Sequence, residues 1–257
     1  MCRERPLCRS VMDRFLIYAD LLKKLVKYKV IRVDLQDSLT IVKNRIAAAA
    51  ARSGRSASDI TLVAVSKTVD IETIRHAYEL GITDFGENRV QEFNHKIEEL
   101  PQARWHLIGR LQTNKVKDVV GKATLIHSLD RWNLAEELNK RGLQEDFVVP
   151  CLLQVNVAGE EQKAGIEPDE VESFLESLGQ LEALKIEGLM TMAPIFDKGE
   201  KARPIFKELY QIKEKASKNR YNNVNLRFLS MGMSQDYEVA IEEGANIVRV
   251  GSAIFNP

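Results

Sequence analysis

The chain has 257 residues, 44% of them hydrophobic, which suits one barrel-sized α/β domain or two smaller units. Its 37 basic and 37 acidic residues cancel, so no global charge recommends nucleic acid or a membrane surface as a partner. Three cysteines, Cys2, Cys8 and Cys151, lack metal-ligand or disulfide-framework spacing, and no apolar run nears the roughly 18 residues that span a bilayer; the expectation is a cytoplasmic protein.

Residues 1–33 form a separate compositional object, with nine basic residues against three acidic, a net of +6 that leaves −6 for the remainder. Apolar residues between Phe15 and Val26 recur near helical spacing beside lysines. This is read as an appended or loosely packed basic extension; a helix lying on a membrane or a partner is the competing reading. The folded domain is expected over 34–257.

That part opens with a predicted amphipathic helix over 34–53, carried by Leu35, Leu39, Val42 and Ile46 and ended by Ser53 and Gly54. The next segment, 61–66, is apolar without alternation, as in a strand buried on both faces, and it stops at Lys67. Further strands are predicted at 84–88, 104–109, 124–129, 149–157, 186–192, 225–232 and 246–251. Between them, helices are predicted at 70–80, 89–100, 113–121, 131–142, 168–181, 200–218 and 236–244. Eight alternating units imply parallel strands with right-handed crossovers, and their number favours a (β/α)8 TIM barrel over an open sheet. No GxGxxG opens the first crossover to argue otherwise. No helix is predicted behind the last strand, so the 34–53 helix is expected to cover that gap.

Barrels carry their chemistry at the C-terminal ends of the strands. Those ends present Lys67, Asn88, His106, Asn156, Met190, Thr191, Ser230, Ser234, Arg249, Gly251 and Ser252. Two hydroxyl- and glycine-rich turns, 230–234 and 250–252, follow the last two strands, where barrels hold phosphate on backbone N–H groups; two ordinary tight turns would look the same. Arg249, between two valines of a buried strand, is either half of a structural ion pair or a planar donor facing a ligand. His106 suits a satisfied core histidine as well as a ligand contact. Asp84 and Glu87 are candidates for capping or for ion pairs with Lys67 or Arg249. A lysine amine opposite a phosphate cradle describes a receptor for a phosphorylated aldehyde held as a Schiff base, and pyridoxal phosphate is the commonest.

The segments LVAVSKT, FGENRVQE, WHLIGRLQTNK, QVNVAGEEQKAG, GLMTMAP, LSMGMSQDYEVAIEEGA and VRVGSAIF, in this order from about residue 36 to 255, resemble the YggS/PROSC family of pyridoxal phosphate homeostasis proteins. The resemblance implies a single barrel of the alanine racemase type (fold type III) without the C-terminal β domain, and Lys67 as the covalent anchor of pyridoxal 5'-phosphate. It further implies Ser234, Gly251 and Ser252 at the phosphate, Arg249 at the pyridine nitrogen, and Asn88, His106, Met190 and Met231 lining the pocket. No metal is implied. The implied function is a carrier that keeps the cofactor in reserve for apo-enzymes with little turnover; an amino acid racemase or other small pyridoxal phosphate enzyme, and a lysine-dependent aldolase, are the alternatives. With no large apolar patch in the sequence, a monomer is expected. Residues 1–33 have no counterpart in the family. The ending IFNP departs from the family's continuation, so a missing final helix and a less secure barrel closure are expected.

Overall fold

The computed structural model describes residues 34–160, 164–194, 196 and 199–256, and the basic extension at 1–33 lies outside them. Eight parallel strands close into a barrel in sequence order. They are β1 (Thr61–Val65), β2 (Asp84–Glu87), β3 (Arg104–Leu107), β4 (Leu125–Leu129), β5 (Val149–Gln154), β6 (Leu184–Met190), β7 (Val224–Ser230) and β8 (Ile247–Val250). The helices are α1 (34–52), α2 (Ile71–Glu79), α3 (Val90–Glu99), α4 (Trp132–Gln144), α5 (Val171–Leu178), α6 (Arg203–Ala216), α7 (Tyr237–Glu242) and α8 (Ser252–Phe255).

Two expectations change. The 113–121 helix is instead a 3-10 turn at Thr113–Asp118, because β-branched Val116, Val119 and Val120 crowd a regular helix while still burying themselves against the barrel wall. A short helix, α8, does follow β8, and closure is not the weak point: Thr61, Leu62, Val63 and Ala64 of β1 pair in register with Ile247 to Val250 of β8. The thinner seam is between β7 and β8, which share one register pair, Ser230 with Ile247. Asn246 patches it, accepting from Leu229 N at 2.7 Å and donating to Arg227 O at 2.7 Å.

Helix α1 fills the gap in the helical ring as expected. Lys43 donates to the Leu80 carbonyl behind α2 at 3.1 Å, and Arg52 pairs with Glu238 and Glu242 of α7. The main core lies between the strands and these helices. Inside the barrel is a separate apolar layer of Val63, Leu125, Leu152, Met190 and Ile247. Strand alternation sends each second residue inward, so positions two further along a strand lie one layer nearer the mouth.

Candidate functional site

At the C-terminal mouth the strand ends enclose a cavity of about 410 Å3, within the usual range for small-ligand sites. Six of the predicted residues line it: Lys67, Asn88, Ser234, Arg249, Gly251 and Ser252. Val65, Ile108, Met192, Pro194, Phe196 and Met233 add apolar wall, and Asp236 a carboxyl.

Lys67 sits just past β1, exposed, and its amine makes no hydrogen bond or ion pair among the described residues. The next residue, Thr68, has φ of +63°, a left-handed conformation that β-branched residues rarely adopt. Its hydroxyl donates to the Lys67 carbonyl at 2.6 Å. Behind this turn, Ser66 donates to Glu87 Oε1 at 2.6 Å, and Lys96 donates to both Ser66 O at 2.8 Å and Glu87 Oε1 at 2.7 Å. Glu87 is therefore spent on Lys96 and Ser66, not on Lys67. Asn88 reaches the wall because Gly109 lets the chain after β3 press against it: a Cβ there would lie 2.2 Å from the Asn88 carbonyl oxygen.

Across the mouth, the β7 turn folds onto the start of α8. Ser234 Oγ accepts from the backbone N–H groups of Gly251 at 3.2 Å and Ala253 at 3.3 Å, which gathers a hydroxyl and main-chain donors at one point. Gly232 makes the turn possible with φ of +90°, and its Cβ would meet Ala240 Cβ at 2.6 Å. Asp236 closes the turn by accepting from Met233 N at 2.6 Å, and burial pushes its carboxyl pKa up.

Arg249 forms the floor. It is 4% exposed, donates through Nη1 to Ser230 Oγ at 2.6 Å and through Nη2 to Thr191 O at 2.9 Å, and keeps three further N–H groups. Burial pushes its pKa down to about 10, so it remains cationic at neutral pH.

Three residues expected to line the pocket do not reach this cavity, nor do the strand-end residues Asn156, Thr191 and Ser230. His106 is buried one layer below, bonded through Nε2 to Asp84 at 3.0 Å and through Nδ1 to His127 at 3.0 Å. Asp84 thereby pairs with His106 and Arg104, not with Lys67 or Arg249. Met190 belongs to the interior apolar layer, and Met231 faces the outer core because its neighbour Ser230 faces in. Ile108 and Met192, each two residues further along, and Met233, which lies past the turn at Gly232, are the side chains that line the wall.

The closed barrel with its strand-end cavity defines a protein of the alanine racemase N-terminal domain class, and the model of that family matches residues 39–257. A pyridoxal phosphate homeostasis protein of Aquifex aeolicus is 48% identical over 85% of this chain and 96% of its own length. One from Escherichia coli K12 is 35% identical over 86% of this chain and 96% of its own. The solved structure of PipY from Synechococcus elongatus, with PLP bound, superposes with a TM-score of 0.72 at 32% identity, covering 86% of this chain and 100% of PipY. The chain belongs to the family of pyridoxal phosphate homeostasis proteins.

Proposed function

We propose that the cavity binds pyridoxal 5'-phosphate, with Lys67 as covalent anchor, and that the protein holds this cofactor in reserve with little turnover. The observation that carries the reading is the disposition of three groups around one cavity: the exposed Lys67 amine, the Ser234 and α8 donors opposite, and buried cationic Arg249 between. The residues fit the group. A Cβ at Gly251 would crowd Val65 O at 3.1 Å, so the glycine keeps this backbone approachable, as a phosphate cradle requires. PipY, solved with PLP bound, supports the same ligand.

When bound, pyridoxal phosphate supplies an aldehyde that condenses reversibly with a primary amine and a ring that withdraws electrons when its nitrogen is protonated. Lys67 offers the amine from a rigid turn, and Ser234, Gly251 and Ser252 orient the phosphate. Arg249 would donate toward the ring nitrogen of a bound cofactor and oppose its protonation by like-charge repulsion, which would slow carbanion chemistry. No tyrosine or histidine lines the cavity among the described residues to act as a second base. The carrier reading therefore outweighs a racemase, with apo-enzymes as recipients, the monomer as the acting unit and the cytoplasm as the place. Among the described residues no helix is long and apolar enough to cross a membrane.

The test is an absorbance spectrum with mass spectrometry before and after borohydride reduction. A visible chromophore that is fixed on Lys67 by borohydride and lost in Lys67→Ala is expected. Colourless protein trapped on a sugar phosphate would point to an aldolase, and sustained turnover of an amino acid at ordinary enzyme rates would overturn the carrier reading.

A further inference from the structure

The barrel interior holds more polar chemistry than a carrier's cavity needs. Below Arg249, Ser230 Oγ lies 2.9 Å from His127 Nδ1, His127 Nε2 lies 3.0 Å from His106 Nδ1, and His106 Nε2 lies 3.0 Å from Asp84 Oδ1. Ser230 and His127 are 0% exposed, His106 3% and Asp84 5%, so water does not complete these bonds. Asp84 in turn accepts from Arg104 Nε at 2.9 Å and from Nη2 at 2.6 Å, at the opposite end of the barrel. Five side chains from β8, β7, β4, β3 and β2 thus form one continuous chain across the interior.

Donor and acceptor chemistry permits one polarity when both rings are neutral. A carboxylate only accepts, so His106 carries its proton on Nε2 and leaves Nδ1 bare. His127 must then donate from Nε2 and present a bare Nδ1. Ser230 gives its one hydroxyl proton to that nitrogen, and its oxygen accepts from Arg249, which only donates. Every bond points from the guanidinium toward the carboxylate, and bonds aligned in this way polarise one another. Burial, with the neighbouring Arg249 cation acting in the same direction, pushes the pKa of His127 well below its ordinary value, in keeping with a neutral ring.

We propose that Asp84, His106, His127 and Ser230 are positioning residues for Arg249, a one-way hydrogen-bond chain that fixes the guanidinium at the cavity floor and couples it to a carboxylate at the far end of the barrel. The ligand-dependent part rests on the pyridoxal phosphate reading; the tautomers do not. The chain holds the guanidinium plane through Nη1, while the Thr191 carbonyl holds it through Nη2. The remaining N–H groups then face a ligand without freedom to turn away.

The first measurement is a long-range 1H–15N spectrum of the imidazoles in ligand-free, full-length protein at neutral pH, assigned with single His→Gln variants. Both His106 and His127 are expected as Nε2-protonated tautomers; a proton on Nδ1 of either ring overturns the chain. The second is titration of Ser230→Ala with pyridoxal phosphate, with His127→Phe as an alternative break that keeps ring volume. A shifted absorbance maximum and a loss of affinity of about two- to tenfold, the worth of one hydrogen bond, are expected. A folded variant with unchanged spectrum and affinity overturns the positioning role, since lost packing alone would move the melting temperature and not the chromophore. Wild-type protein that takes up no pyridoxal phosphate would sink the cofactor reading while the tautomer result stood.

Discussion

Lys96 Nζ lies 2.7 Å from Glu87 Oε1, and both side chains are buried. The pair grips the main chain at Ser66, one residue before Lys67, through Lys96 to the Ser66 carbonyl and Ser66 Oγ to the carboxylate. An ion pair here locates the lysine turn instead of lining the cavity. Removing one partner leaves the other charge buried, whereas replacing both with apolar groups does not.

Lys96→Met is therefore expected to destabilise the fold by about 3–5 kcal/mol, the usual cost of an orphaned buried charge. Adding Glu87→Gln should recover part of that loss, because the carboxylate is removed too. Urea unfolding of the two single variants and the double variant measures both. Additive losses would mean that the pair is not coupled.

The turn itself is strained at Thr68, whose φ of +63° costs a β-branched residue about 1–2 kcal/mol. Asparagine visits this conformation more readily. Thr68→Asn should raise the melting temperature by about 2–4 °C, for a gain near 1 kcal/mol in a domain of this size. A lower melting temperature would show that the Thr68 hydroxyl bond to Lys67 O outweighs the strain.

Acid should act through Asp84. Burial raises its carboxyl pKa, but hydrogen bonds from His106 and Arg104 outweigh this and hold it at about 2. An unfolded aspartate titrates near 3.9, so this depressed group adds stability that is present above about pH 4 and lost as pH falls toward 2. After discounting for partial solvent screening, the contribution is about 1–2 kcal/mol. Urea midpoints between pH 6 and pH 2 should converge for wild type and Asp84→Asn. Parallel pH profiles would place the acid sensitivity in other groups.

How far the sequence disclosed the site follows from strand periodicity. The eight strands and the ends bearing Lys67, Ser234 and Arg249 were legible because buried parallel strands are apolar runs broken by polar turns. Depth within the barrel was not. Met190 and His106 share inward parity with Met192 and Ile108, and sequence alone does not say which layer meets the mouth. Met231, the outward neighbour of Ser230, lies in the outer core, a placement that follows from strand parity only once the inward face of β7 is known. The His106–His127 link was invisible for a different reason: it joins residues 21 apart through a contact that exists only once β3 and β4 pair.

Gly232 ties the fold to the proposed phosphate site. At φ of +90°, with Tyr237 Cα 2.8 Å and Ala240 Cβ 2.6 Å from any added Cβ, Gly232→Ala must strain the backbone and push α7 away. The two costs together come to about 2–4 kcal/mol. The same turn holds Ser234 against Gly251 and Ala253, so its distortion should disperse donors proposed to meet the phosphate while leaving Lys67 and Arg249 in place. Affinity for pyridoxal phosphate is therefore expected to fall more than affinity for pyridoxal, which lacks the phosphate. Equal losses for the two ligands in a folded variant would remove this turn from phosphate recognition.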